Sequence, residues 1–331
     1  MSTITTPSPE TASPLKRLIS GHPLLAFFVI AFAGYWIVML PLVLAQNALG
    51  LLPYTVPPVG PSGQLPLSYY FVGALGAIAG PTLASFVVTA ITTGTKGVRQ
   101  LLRRYMLWRV GVHWYLLVLV GLPLIQLAVA SVFLGIAPLT AFVQQWPLFF
   151  TTFLPNVLLI GVTTQIWEEG GWSGYAVPAL QQRFGAWRAC LVLGPLWAVW
   201  HLPFFLVPGV ISATKVDAIT LIVQMAFLII GAIPIRMIMT WIFNNTKGSI
   251  LIAILFHSAM DASNVASPYI RHVLSASQLN GYGLGNLLFL LVAAIVLLIF
   301  TKGRLSYKQD RNAQLREEPQ PAEIPQANIE R

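Results

Sequence analysis

Eight stretches of this chain, roughly 23–46, 68–93, 112–135, 148–168, 187–206, 217–238, 249–266 and 283–301, are apolar over about the length that a helix needs to cross a bilayer. Few folds other than a polytopic membrane bundle have a use for that pattern. Hydrophobic residues make up 56% of the chain and charged ones only 9%, far below the quarter or so of ordinary soluble domains. The expected fold is therefore all-α, a bundle of about eight transmembrane helices over residues 23–305. Connections between the stretches are short, which leaves no room for a soluble catalytic domain, so any chemistry sits among the helices. Residues 1–22, rich in Ser, Thr and Pro, and residues 306–331 read as polar, disordered tails. The apolar run that follows Lys16 and Arg17 is too long for a secretory signal and lacks a small-residue cleavage site.

Basic residues set the direction of insertion, because cytoplasmic loops carry the excess of Lys and Arg. With both termini placed in the cytoplasm, the nineteen Lys and Arg divide seventeen to two in favour of the inner side, Arg236 being counted among the inner helix ends. Lys215 and Arg271 are the two outer ones. This division accounts for a net charge of +9 through contact with anionic lipid, and nucleic acid is not an expected partner. The densest basic run, KGVRQLLRRYMLWR, fits either an amphipathic helix on the inner surface or a solvated loop. Cys190 is the single cysteine, which excludes an intrachain disulfide and a multi-cysteine metal site.

Of ten acids, seven fall in tails or, as Asp217 does, in an outer connection; Glu168, Glu169 and Asp261 remain within or beside the spans. An acid at membrane depth costs a few kcal/mol unless it faces a cavity or a partner, so three retained acids point to use. His22, His113 and His272 lie at span edges or in a loop, where an amphipathic side chain suits the interface. His201 and His257 are different, since each sits inside an apolar run and needs a hydrogen-bond partner there. His257 and Asp261 share a helical face at i and i+4, as do Trp197 and His201. Glu168 and Trp172 share one if the helix continues through Gly170 and Gly171. Glu168 lies near the end of the fourth stretch and His201 far along the fifth, so their meeting requires the fourth helix to run on toward Pro178 or the fifth to start early or tilt.

In order along the chain, EEGGWSGY, WAVWHLPFF and WIFNNTKGSILIAILFHSAMDAS resemble the CPBP family, the CAAX prenyl endopeptidase and bacteriocin-processing membrane proteases also called the Abi family. The family pattern is an EExxxR block, an FxxxH block and an HxxxN or HxxxD block on successive helices. It covers residues 150–266 here. The resemblance implies an intramembrane endopeptidase in which Glu168 and His201 activate the attacking water, His257 and Asp261 bind the developing oxyanion, and Glu169 supports them. Peptide hydrolysis needs such a base and such a donor set.

Two positions depart from the pattern. Ser173 stands where the family has arginine, which leaves Glu169 protonated, solvated or paired with a distant base such as Arg183, Arg188 or Arg236. Trp197 replaces a phenylalanine and keeps an aromatic wall. An ionised Asp261 would repel an oxyanion, so it carries a proton, orients His257 or binds metal. Two histidines with carboxylates also form a plausible zinc set; metal-free, glutamate-based hydrolysis is preferred and zinc stays open. The expected partners are a peptide or lipidated peptide and membrane lipid, with Trp167, Trp172, Trp197 and Trp200 as walls of a groove or as interface anchors. The expected location is the cell membrane of a prokaryote. Two other classes compete: a catalytically impaired scaffold or bacteriocin self-immunity protein of the same fold, and a proton-coupled transporter.

Overall fold

A computed structural model describes residues 13–57, 66–210, 216–265 and 276–308, and among these it is helical without sheet strands. The first helix, α1 (Pro14–Gly21), begins where Ser13 accepts a hydrogen bond from the Lys16 amide and Pro14 occupies the first turn. It falls within the stretch expected to be disordered, and a capped start followed by Leu15, Leu18 and Ile19 on one side explains why these residues fold. Ile19 is buried, and α1 packs on the third helix. Residues 1–12 and 309–331 of the expected tails lie outside the described residues, as do Lys215, Arg271 and His272.

Each of the eight apolar stretches carries a helix. These are α2 (Pro23–Leu44), α3 (Leu67–Tyr105), α4 (Val112–Val132), α5 (Phe149–Phe184), α6 (Ala186–Trp200), α7 (Ala218–Asn245), α8 (Ile250–Val265) and α9 (Ala276–Thr301). Six are long and apolar enough to cross a membrane, whereas α6 and α8 are apolar but shorter. Side chains such as Ile299 and Phe300 on α9 stay exposed, as lipid-facing positions do. Asp217, in the connection before α7, caps that helix by accepting from the amide and hydroxyl of Thr220 at 2.9 and 2.6 Å, contacts that hold its carboxyl below the usual range.

Of the helices that outrun their apolar stretches, α3 and α5 matter for the acids. The basic run after residue 94 is helical: α3 breaks at Gly94, whose φ is 64°, and resumes as an amphipathic segment to Tyr105. Helix α5 continues past Glu168 and Pro178 to Phe184, which meets the depth requirement posed by the sequence. Gly185 alone, at φ 77°, then turns the chain back into α6. That backbone conformation is strained for residues with a Cβ. Glu168 precedes this turn by 17 residues and His201 follows it by 16, so both sit at the same level, about 25 Å of helix from the turn. In the same way α7 and α8 flank a short turn at 246–249, which brings Arg236 level with His257.

Helix α5 is not wound uniformly. Residues 161–165 and 172–176 form wider π turns on either side of the short α segment Ile166–Gly171 that carries both acids. Single π turns of this kind recur at functional sites. Three side chains from α3 clasp the segment: Tyr105 donates to the Ile166 carbonyl at 3.1 Å, Arg104 to the Gly174 carbonyl at 2.9 Å, and Thr82 to the Trp167 carbonyl. The approach is close enough that a Cβ on Gly171 would lie 2.5 Å from the Pro81 carbonyl oxygen.

The core below the acids is aromatic. Trp172 and Trp200 are fully enclosed, Trp200 donating to the Ala31 carbonyl at 3.0 Å while Trp36 donates to the Trp200 carbonyl at 3.1 Å. Phe27 meets Trp172 edge-on at 5.6 Å. These two tryptophans therefore hold α2 against α5 and α6 and are neither groove walls nor interface anchors. A partly apolar body with one N–H suits such a place.

Candidate active site

Glu168, His201, His257 and Asp261, drawn from α5, the end of α6 and α8, line one cavity of about 290 Å³. Its remaining wall is largely aromatic and apolar, with Tyr35, Tyr69, Tyr70, Trp197, Phe204 and Phe205 among the lining residues. Of the four tryptophans considered as groove walls, Trp197 is the one on this surface. A concave, mostly apolar chamber with a few converging polar groups is the usual form of a small binding site.

Glu168 is buried, and its Oε2 has no hydrogen-bond partner within the protein. A buried acceptor left open in this way is a cost unless something from the cavity fills it. His201 ends α6 between two indoles, Trp197 at 4.6 Å and Trp200 at 4.7 Å. Its Nδ1 donates to the Trp197 carbonyl at 2.8 Å, which fixes the ring and leaves Nε2 as the nitrogen free for chemistry.

Glu169 does not line the cavity. It points into the protein behind it, fully buried, and gathers three partners. His257 donates from Nδ1 to Oε1 at 2.8 Å; Arg236, reaching across from α7, places Nη1 3.3 Å from Oε2 and 3.4 Å from Oε1; Ser173 donates its hydroxyl to Oε2. The 173 position thus touches the acid that the sequence pattern assigns to it, but through a neutral hydroxyl. The charge comes from Arg236, one of the three bases weighed from the sequence. Placing Arg236 among the inner helix ends was wrong: its side chain is wholly buried in the bundle and lies 4.7 Å over the Trp197 ring. A charge in that position is tolerable because it is paired and stacked.

Asp261 is half-buried at the cavity edge. Its Oδ2 lies 3.7 Å from His257 Nε2 and accepts from Gln165 Nε2 at 2.5 Å. Sequence reasoning missed Gln165, although it stands three residues before Glu168 and lines the same cavity. Its Oε1 is buried without a partner, a second open acceptor among the residues that line the cavity.

Among the described residues no group of three or more His, Cys, Asp or Glu side chains is placed to hold a metal ion.

Fold and site together define a polytopic, all-helical membrane protein that keeps a carboxylate and histidine centre inside its bundle. Residues 150–263 match the family described as "Type II CAAX prenyl endopeptidase Rce1-like". The chain is also 30% identical over 149 residues to a protein named "CAAX prenyl protease 2" from Methanococcus maripaludis. That alignment covers 45% of this chain and 51% of the relative, so the chain spans about half the length of the curated protein it matches. The matched segment contains all three motif blocks and every acid and histidine of the centre.

Proposed function

We propose that the chain is an intramembrane endopeptidase of the CAAX-processing type, which hydrolyses a peptide bond with water activated by Glu168. The observation that carries this reading is the convergence of Glu168, His201, His257 and Asp261, from three helices, on one cavity. In this reaction the open Glu168 carboxylate takes a proton from water as the oxygen attacks the scissile carbonyl. His201 offers Nε2 to the same water. The carbonyl oxygen gains negative charge and is met by Nε2 of His257, whose ring Glu169 holds from the other side. Donation from both nitrogens needs the imidazolium form, and the carboxylates of Glu169 and Asp261 face it. The tetrahedral intermediate then collapses, and the proton held by Glu168 passes to the leaving amine. In this scheme Asp261 orients His257 rather than touching the oxyanion, with Gln165 holding its carboxylate in place.

No resident metal takes part in this scheme. For substrate, the name of the Methanococcus relative and the aromatic wall of the cavity support a peptide bearing a lipid near its C-terminus, cut in a prokaryotic cell membrane. The lopsided distribution of Lys and Arg supports cytoplasmic termini.

The test uses protein reconstituted in liposomes and a farnesylated tetrapeptide-ended substrate. Wild-type protein cleaves it, while E168Q and H257A at equal protein fall to background. Wild-type rates in either variant would sink the assignment. Metal analysis of the same samples, with and without a strong chelator, reads the metal question separately: stoichiometric zinc lost together with activity would overturn the metal-free scheme.

A further inference from the structure

The geometry points to Arg236 as a positioning residue that replaces, from a different helix, the arginine the motif would place at 173. This inference rests on the peptidase reading above for what is being positioned. Ser173 and Arg236 meet on the same atom, Oε2 of Glu169, from two different helices: Ser173 lies four residues further along α5, Arg236 67 residues further on, in α7. Both are shut off from solvent. An arginine on residue 173 and the arginine at 236 would therefore compete for one volume beside one carboxylate.

Among the described residues the guanidinium has no other hydrogen-bond acceptor. Its Nε and Nη2 find no hydrogen-bond partner among them, and its cation–π contact is the face of Trp197 at 4.7 Å. Among the same residues Glu169 is the acid with which this buried charge forms an ion pair. Through Glu169 it acts on His257, because Glu169 Oε1 receives the Nδ1 proton that sets which way the imidazole faces. Arg236 itself does not line the cavity, so it does not touch a substrate. Trp197, which does line it, packs against both the guanidinium and, at 5.5 Å, the His257 ring. One cation thus steadies the carboxylate, the imidazole and the aromatic wall.

Relocating the charge tests this directly. R236M is expected to lose cleavage on the order of 100-fold, the scale of a misplaced catalytic group. S173R alone crowds two guanidinium groups onto one carboxylate and is expected to lose activity as well. The double variant S173R/R236M restores the arrangement of one arginine against Glu169 and is expected to recover most of the wild-type rate. A merely structural arginine would not be rescued from another helix. In parallel, histidine-labelled protein in nanodiscs gives the Nδ1–H resonance of His257. This is expected to shift in R236M and to return in the double variant. A resonance unmoved in R236M, or a folded double variant as inactive as R236M, overturns the inference. If the wild type cleaves no peptide while the resonance behaves as described, the positioning role stands and the peptidase reading falls.

Discussion

Glu169 and His257 are joined at 2.8 Å across 88 residues of chain, and the acid turns its back on the cavity that its neighbour Glu168 lines. Two consecutive glutamates, about 100° apart around one helix, are thereby given separate tasks. One faces the cavity; the other faces an imidazole and a guanidinium.

That division predicts opposite behaviour for two similar substitutions. Glu168→Gln keeps the shape and removes a group with an open acceptor, so cleavage is abolished with thermal unfolding unchanged within a few degrees. Glu169→Gln strands Arg236 and is expected to destabilise by about 3–5 kcal/mol, the cost of breaking a buried pair. Unfolding curves of both variants in one detergent, beside their cleavage rates, separate the two; equal stability losses would remove the distinction.

Gln165 is expected to matter although no motif contains it. Gln165→Leu takes the amide donor from Asp261, a hydrogen bond to a charged group worth about 1.5–3 kcal/mol. The expected result is a lower cleavage rate together with a modest loss of stability. Gln165→Glu sets two carboxylates against each other and should be worse on both measures. Steady-state rates at matched protein decide it, and a Gln165→Glu variant as active as wild type would count against a role for this contact.

The approach of α3 to the acid segment leaves no room for a methyl group. A Cβ on Gly171 would meet the Pro81 carbonyl oxygen at 2.5 Å, backbone against backbone. Gly171→Ala is therefore expected to cost about 1–3 kcal/mol by overpacking and to lower activity by tilting the acids. Thermal unfolding checks the first part, and substrate turnover at a temperature well below the transition checks the second.

Tyr105→Phe probes the clasp itself. It keeps the ring and deletes the hydroxyl that donates to the Ile166 carbonyl, leaving that oxygen without its side-chain partner beside a π turn. A stability loss of about 1–3 kcal/mol is expected for an unpaired buried acceptor. Amide exchange at 166–172 should rise while exchange in α9, remote from the clasp, stays as in wild type.

Much of the centre was legible because it is built from local repeats. His257 and Asp261 lie one helical turn apart, as do Trp197 and His201, and charge inside an apolar run marks them without any knowledge of the fold. The depth match of Glu168 and His201 was legible as a condition, met by the run of α5 through Pro178 and by the single-residue turn at Gly185. What sequence could not order were contacts between helices. Arg236 was assigned to a helix end because a lone charge between apolar residues gives no sign of which acid it reaches 67 residues away. Trp172 and Trp200 were assigned to a groove or an interface because an indole is equally at home in lipid headgroups and in a core. The clasp of α3 on α5 was invisible too, since Thr82, Arg104 and Tyr105 spend their donors on backbone carbonyls, which carry no sequence signal.

That clasp also bears on the order in which the protein is made. Thr82, Arg104 and Tyr105 leave the ribosome 85, 70 and 61 residues ahead of the carbonyls they hold. At roughly 5–20 residues per second, the lead is about 3 to 17 seconds. The donors of the clasp are therefore made before the glutamate pair, so the unevenly wound helix always meets partners that precede it in synthesis.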